Sequence, residues 1–389
     1  MASASPPPGS NALRSRTYNR GLVLGHLRRE GEAGRAEIAR ASRLSIQAVS
    51  NIIQDLVEGG WVVEAGKREG QRGLPAVTYA LSSGTHIAMG VEIRPDAVLA
   101  AWIDLGGHVL HRDRLALPSA RPEHVGPLIA QLPTRGDAAG VPHSAVFGAG
   151  VVMPGPIGQT GLSDLTTQLP GWGDVSPETV LRDALGVPVT LENDANAAAM
   201  AERILGAAQG LGTFACLYFG TGLGLGLVIN GEVFPGAFGN AGEIGHIPVV
   251  SSNGACSLET LASRVSLVRA LEADGITART VDDLALQHQA RPPAMEAWLQ
   301  SAAGALSPAV QILENLIDPE AIVMTGAMPP ALLDELAGRV TLPERSVSNR
   351  ADRARPRLIA GTAGRMAATL GAAALVVNSA LSPRLMDTQ

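Results

Sequence analysis

Val187-Pro188-Val189-Thr190-Leu191-Glu192-Asn193-Asp194-Ala195-Asn196-Ala197-Ala198-Ala199 is the segment on which the fold turns. Val187–Leu191 reads as a strand and Ala195–Leu205 as a helix, so Glu192, Asn193 and Asp194 fall where a strand hands polar side chains to a helix start. Downstream, Phe214–Phe219 is again a strand and runs into Gly220-Thr221-Gly222-Leu223-Gly224-Leu225-Gly226, with β character continuing over Leu225–Ile229. Upstream, His86–Ile93, Ala97–Asp104 and Val109–Leu115 are three closely spaced strands joined by turns, and Ala145–Val152 is a further buried strand ending in Met153-Pro154-Gly155-Pro156. The pattern predicts a large α/β body.

A second unit precedes it. Met1–Asn11 is rich in Pro, Ser and Ala, and residues 1–16 read as a disordered tail. Thr17–Arg29 predicts a helix with Val23, Leu24 and Leu27 inward, and Ala36–Ala41 a short second helix. Ser45 is placed to cap a third, in which Ile46, Val49, Ile53 and Leu56 recur at helical spacing and Ile52 and Val57 widen the apolar stripe. Gly59-Gly60 stops this helix. Two strands, Trp61–Ala65 and Ala76–Leu81, then flank a basic hairpin tip over residues 66–73. Three helices and a basic two-stranded ribbon over residues 17–82 predict a winged helix-turn-helix. Ser45, Gln47, Ala48, Ser50 and Asn51 form the small polar side of the third helix, short enough to enter a major groove. Arg35, Arg40 and Arg43 are candidates for phosphates, and Lys67, Arg68 and Arg72 for backbone or minor groove. A solvated helix face in a protein-interaction module is the plainer alternative.

Charge supports the division. Residues 1–82 carry a net +4 and the remainder −10, giving −6 over 389 residues, which is the layout of a basic nucleic-acid module on an acidic sensor. Arg supplies 29 of the 30 basic residues, a skew that genomic base composition alone explains. With 46% hydrophobic and 17% charged residues there is material for buried cores, against a largely disordered chain. Apolar runs such as Leu223–Ile229 and Ala373–Val377 are too short to span a bilayer, and Met1–Ser10 lacks a signal-peptide layout. Only Cys216 and Cys256 occur, so the expectation is a reducing cytoplasm, with no disulfide framework and no membrane partner.

An ordered series of motifs resembles the ROK family, which groups sugar-responsive repressors with bacterial sugar kinases. The pieces are Val152-Met153-Pro154-Gly155-Pro156, Leu169-Pro170-Gly171-Trp172, Glu192 through Ala199, Gly220-Thr221-Gly222-Leu223-Gly224, Gly242-Glu243-Ile244-Gly245-His246 and Leu258-Glu259-Thr260-Leu261-Ala262-Ser263. Near the C-terminus, Pro319 through Gly326 and Leu370-Gly371-Ala372-Ala373-Ala374 match as well. The resemblance, to the regulator branch with its xylose and N-acetylglucosamine repressors, implies an actin-like, ribonuclease-H-like two-lobed sugar-kinase fold behind the winged helix. It places a small lobe at about 84–195, a large lobe at 196–370, and a final helix, 371–381, that returns to the small lobe.

It also implies sugar contacts at Asn193, Asp194, Glu243, His246 and Glu259. A ring of hydroxyls needs such convergent carboxylate, amide and imidazole groups, because a wrong partner leaves them unpaired. Asn193 or Glu259 alone serves equally as a helix cap, and helix starts would favour the anionic forms of Asp194 and Glu259. In kinases of the family the aspartate matching Asp194 is the general base. The family's first phosphate loop, Asp-x-Gly-Gly-Thr, is here Glu92-Ile93-Arg94-Pro95-Asp96, without the small residues that let N–H groups converge on an anion. The family's zinc pattern, one histidine and three cysteines, is shortened to the span 245–259 with Cys256 as its one cysteine, so no zinc is expected through those ligands. Gln168 and the segment 247–257 are candidates for tuning ligand choice.

The sequence therefore predicts a cytoplasmic, homodimeric regulator, a repressor of carbohydrate genes, whose partners are operator DNA and a sugar. No cofactor, no metal and no phosphoryl transfer are expected. An active sugar kinase with an appended regulatory domain and a regulator whose effector is another protein are the competing readings.

Overall fold

The computed structural model describes residues 10–68, 76–153, 169, 171–172, 175–251 and 254–381. The N-terminal unit packs α1 (Ser10–Glu30), α2 (Arg35–Ser42) and α3 (Ile46–Glu58) against β1 (Glu32–Gly34), β2 (Val62–Arg68) and β3 (Ala76–Leu81) in the order β1-β3-β2. The first helix starts at Ser10 instead of Thr17, and the expected two-stranded ribbon has a third strand, β1, paired antiparallel with β3. Three residues are too few to display an alternating pattern. Val23, Leu24, Leu27, Val49, Ile53 and Leu56 fill the core as their spacing predicts. Ile46 does not: it is 61% exposed on the first turn of α3. Val57 is likewise exposed. Ser45 caps α3, its Oγ accepting from Ala48 N at 3.1 Å, and Arg43 at φ 57° makes the tight turn from α2. Of the hairpin tip, residues 66–68 form the end of β2 and the remainder lies outside the described residues.

The body repeats one topology twice. In the first sheet, β4 (Ile87–Ile93), β5 (Ala97–Asp104) and β6 (Val109–Ala116) form an antiparallel meander. After α4 (Pro122–Ile129) and α5 (Leu132–Ala138), β7 (Val146–Met153) returns parallel to β4. Then α6 (Pro177–Leu185) leads to β8 (Val189–Asn193), and α7 (Asp194–Leu205) leaves the sheet, whose order is β6-β5-β4-β7-β8. The second sheet opens with β9 (Phe214–Phe219), β10 (Leu223–Ile229) and β11 (Glu232–Val233). It is interrupted by the hairpin β12 (Pro248–Ser251) and β13 (Gly254–Ser257) and by α8 (Leu258–Leu261), α9 (Arg264–Ala273), α10 (Val281–Ala290) and α11 (Pro293–Ile317). It then closes with β14 (Ile322–Gly326), α12 (Pro330–Arg339), β15 (Leu358–Ala360) and α13 (Ala367–Leu381), in the order β11-β10-β9-β14-β15.

The two closing helices are exchanged. α7, which follows the first sheet, packs on β9 and β10, while α13, which follows the second, packs on β4 and β7. Small residues make the crossing possible: a Cβ on Gly371 would lie 1.6 Å from the Ala197 carbonyl oxygen. Likewise a Cβ on Gly90 would lie 2.0 Å from the Thr369 carbonyl oxygen. The helical stretch Gly364–Leu381 is long and apolar enough to cross a membrane, unlike the shorter runs noted in the sequence, but 61% of it is buried within the molecule. At the unit boundary, Trp61 stacks on His86 with centroids 4.0 Å apart and Arg20 covers the same indole at 4.6 Å.

Candidate functional site

The cleft between the two sheets is assembled from strand ends and helix starts. β8 ends at Asn193, whose Oδ1 accepts from Ala195 N at 2.8 Å, so this side chain is spent capping α7. Asp194 follows as the first helical residue, facing the turn after β9: a Cβ on Gly220 would sit 3.2 Å from Asp194 Oδ2. Glu243 precedes and His246 closes a short 3-10 turn, and Glu259 comes from the first turn of α8. His246 lies between the two carboxylates, Nε2 at 3.6 Å from Glu243 and Nδ1 at 3.9 Å from Glu259. Both separations exceed a hydrogen bond, so donors and acceptors remain for a hydroxyl ligand. Glu259 Oε2 presses on the glycine turn: a Cβ on Gly222 would approach it to 2.6 Å. Four of the five expected sugar-contact residues thus lie around one turn, and Asn193 is there as a cap.

Burial reverses one expectation. Asp194 is pushed up to about 7, by desolvation first and then by the Glu92 carboxylate, with Glu243 adding to it. The N–H groups of the helix start oppose this and do not prevail. Glu243 is also raised, by burial foremost, against the downward pull of His246.

On the far side of Asp194 the cleft opens to a cavity of roughly 800 Å³. Its floor is Glu92-Ile93-Arg94-Pro95-Asp96, with Tyr218, Gly220, Thr221 and Arg264 opposite. Glu92 is 6% exposed and accepts from Thr369 Oγ1 at 2.5 Å and from Arg94 Nε at 2.6 Å. Arg94 also donates to the Arg365 carbonyl at 3.1 Å, so its guanidinium bridges the floor to the start of α13. Tyr218 is held well above the usual phenol range by burial, Glu92 and Asp194. The glycine run splits in two. Gly220 and Gly222 form the turn, whereas Gly224 and Gly226 lie inside β10 under α7, a Cβ on Gly226 falling 2.4 Å from the Ala195 carbonyl oxygen. Tyr218 and Arg264 escaped the sequence reading because the first sits in an apolar strand and the second in an ordinary helix start.

In the N-terminal unit, Gln47 and Asn51 are exposed on α3 and bonded to each other, Nε2 to Oδ1 at 3.1 Å. Ala48 and Ser50 are half-buried beside them, and Arg40, Arg43 and Lys67 are exposed. Arg35 is exposed as well, its guanidinium 5.0 Å above the Tyr79 ring. Ile46 joins this surface unexpectedly. Arg68 closes β2, while Arg72 and Gln168 lie outside the described residues.

Among the described residues, no group of three or more His, Cys, Asp or Glu side chains is placed to hold a metal ion. Cys256 stands on β13 opposite Val249 and Cys216 is buried in β9, so a histidine–cysteine zinc set does not fit this site.

A family model described as "ROK family" matches residues 88–379. The xylose repressor of Bacillus spizizenii is 24% identical over 334 residues, covering 83% of this chain and 86% of the relative. A crystal structure of a ROK family transcriptional regulator, a homologue of the E. coli MLC protein, superposes over 95% of this chain and 97% of its own, with a TM-score of 0.74 and 22% identity. A ROK hexokinase from Thermus thermophilus superposes over 97% of its own length but 74% of this chain, with a TM-score of 0.58 and 30% identity.

Proposed function

The chain belongs to the ROK family, and from that premise we propose that it is a sugar-responsive, DNA-binding transcriptional regulator, a repressor of carbohydrate genes acting as a cytoplasmic homodimer. Its N-terminal unit serves as a winged helix-turn-helix, with α3 in the major groove, and its cleft binds a sugar without phosphorylating it. The observation that carries the reading is the extent of the two structural matches. The hexokinase accounts for three quarters of the chain, whereas the regulator's fold extends over the N-terminal unit too.

The surface chemistry supports the same reading. Gln47 and Asn51 can each pair with an adenine edge, and Ile46 offers an apolar contact for a thymine methyl. Arg40, Arg43 and Lys67 surround them as phosphate partners. In the cleft, Glu243, His246 and Glu259 form the sugar grip, with Asp194 at its inner edge. Lobe closure around a sugar would shift the spacing of the two α3 helices in a dimer, and the size of that effect is bounded by the sugar's differential affinity for the two states.

The test is release of the purified protein from DNA of its own gene neighbourhood, followed by fluorescence anisotropy against a monosaccharide panel. Specific DNA binding that one sugar weakens tenfold or more is the expected result. Absence of DNA binding, or indifference to every sugar, overturns the proposal. The second reading, an active sugar kinase, is favoured by Asp194, which retains the place and near-neutral affinity for protons that a general base needs.

A further inference from the structure

We propose that the second sheet carries, at the starts of its strands, a binding site separate from the cleft, where Arg353 and Arg355 hold the phosphate or carboxylate group of a small oxyanion. A cavity of roughly 470 Å³ lies where three mutually parallel strands begin. Gly210 and Leu211 precede β9, Asp318 and Glu320 precede β14, and Arg353 and Arg355 precede β15. The glycine turn of the sugar grip follows the far end of β9, so the length of that strand, about 20 Å of extended chain, separates the two sites. The inference therefore stands whether or not the cleft binds a sugar.

Alternate arginines lead into β15, and they meet different partners. Arg357 finds a carboxylate, that of Glu314. Arg353 and Arg355 find main-chain carbonyls instead. Arg353 donates to Ser348 at 3.1 Å, to Pro319 at 3.1 Å and to Glu320 at 2.5 Å. Arg355 donates to Ala207 at 2.7 Å and to Gln209 at 2.8 Å. Among the described residues, neither has a carboxylate within salt-bridge distance. The carbonyls fix where each guanidinium sits and leave its charge uncompensated, and Arg353 Nε is in addition buried with no partner. An oxyanion supplies the missing countercharge through the charge-assisted bonds that guanidinium donors make best.

The acidic side chains around the cavity are already engaged. Asp352 takes Arg350 in a two-bond pair, each bond 2.9 Å long, which holds its carboxyl below the usual range. Asp318, at φ 48°, closes α11 and adds to the upward pull of Asp352 on Arg350. Glu320 Oε1 accepts from Gly212 N at 2.7 Å and from Thr213 N at 2.8 Å. These acids are thus matched by Arg350 and by backbone N–H groups, and Arg353 and Arg355 are the cations left over in the cavity wall. A cationic ligand would meet two uncompensated guanidiniums there, so the site selects for negative charge.

Calorimetry and thermal melting on the full chain decide the matter, with inorganic phosphate, methyl phosphate and malonate compared against chloride at equal ionic strength. At least one of the three should bind one-to-one and saturably, at about 10 mM or tighter, and raise the melting temperature to match. The tightest of them tells free phosphate, phosphate ester and carboxylate apart. Ala354 lines the cavity and is exposed, so changing it removes none of the arginine tethers. A354E should weaken binding at least fivefold and A354K should tighten it, both melting as the native protein does in chloride. R355M should weaken binding at least tenfold while R355K keeps part of it; should R355M fail to fold, the Ala354 pair still decides. No saturable binding by any of the three, or binding that A354E, A354K and R355M all leave unchanged, overturns the proposal. So does a rise in melting temperature that never saturates and is shared by every variant, which is general stabilisation by excluded salts.

Discussion

Arg94 Nε donates to Glu92 Oε1 at 2.6 Å, two residues back along the end of β4. The pair ties the residue after the strand end back onto β4, where Glu92 is itself buried and bonded to Thr369 on α13. Arg94 is correspondingly driven further above the ordinary guanidinium range by Glu92, despite its burial. Arg94 N is spent on the Ala97 carbonyl at 2.8 Å and Pro95 has no N–H, which supports the proposal that residues 92–96 cradle no triphosphate.

The first prediction concerns chemistry. Purified protein incubated with ATP, magnesium and a sugar panel should release ADP no faster than a sugar-free control. Sugar-dependent ADP formation in a coupled assay would restore the kinase reading and assign Asp194 as its working base.

DNA recognition makes a second, graded prediction. Gln47→Ala or Asn51→Ala should each cost about 1–3 kcal/mol of specific binding and relax preference at one base pair. Ile46→Ser should produce a smaller loss confined to sites carrying a thymine methyl. Arg43→Ala should weaken all sequences alike and flatten the salt dependence. Because Gln47 and Asn51 are bonded to each other, the double variant should lose less than the sum of the singles. Unchanged operator affinity in that double variant would displace α3 from the groove.

Asp194 gives a pH signature that needs no ligand. A carboxyl near 4 in the unfolded chain and about 7 in the fold means that the native state holds a proton the unfolded state releases. Stability from this group is therefore lost as pH rises from about 4 to about 7, and the loss is constant above that. Asp194→Asn should match the native protein in thermal melting near pH 4 and exceed it at pH 8, by roughly 2–4 kcal/mol. It should also abolish the response to sugar. Melting curves whose separation does not widen with pH would contradict the burial and Glu92 effects that raise the group.

Much of this molecule is written in local patterns. Ala97–Asp104 and Phe214–Phe219 occupy the very bounds that their apolar runs suggest, and Ser45 caps α3 as its position before the helix implies. What is not local was missed. β1 exists because β3 offers an edge, not because three residues prefer extension. Ile46 fits the apolar stripe by spacing, yet stays 61% exposed at the first turn of the helix. Gly224 and Gly226 belong to the same glycine run as Gly220 and Gly222, and only the position of α7 shows that they serve close packing instead of a turn. The expected site carboxylates were legible as polar residues at strand ends. The raised titration of Asp194 was not, because it depends on burial and then on Glu92, which lies 102 positions away in the chain. Arg264 and Tyr218 enter the cleft by tertiary placement alone.

The exchange of α7 and α13 between the sheets makes the last prediction a stability contrast between two helical glycines. At Gly371 an added methyl would lie 1.6 Å from the Ala197 carbonyl oxygen, backbone that cannot swing aside as a side chain can. Gly371→Ala must therefore push the helices apart along an interface that also seats α13 on β4, at a cost of roughly 3 kcal/mol or more. Gly304, exposed in α11, has nothing within 4 Å of the same added atom. Gly304→Ala should be neutral or stabilise by up to about 1 kcal/mol through helix propensity alone. Thermal melting of the two variants side by side checks the crossing: equal melting temperatures would mean that α7 and α13 do not meet at Ala197 and Gly371. Because the start of α13 holds Glu92 through Thr369, the Gly371 variant should lose sugar affinity as well as stability, whereas the Gly304 variant should keep both.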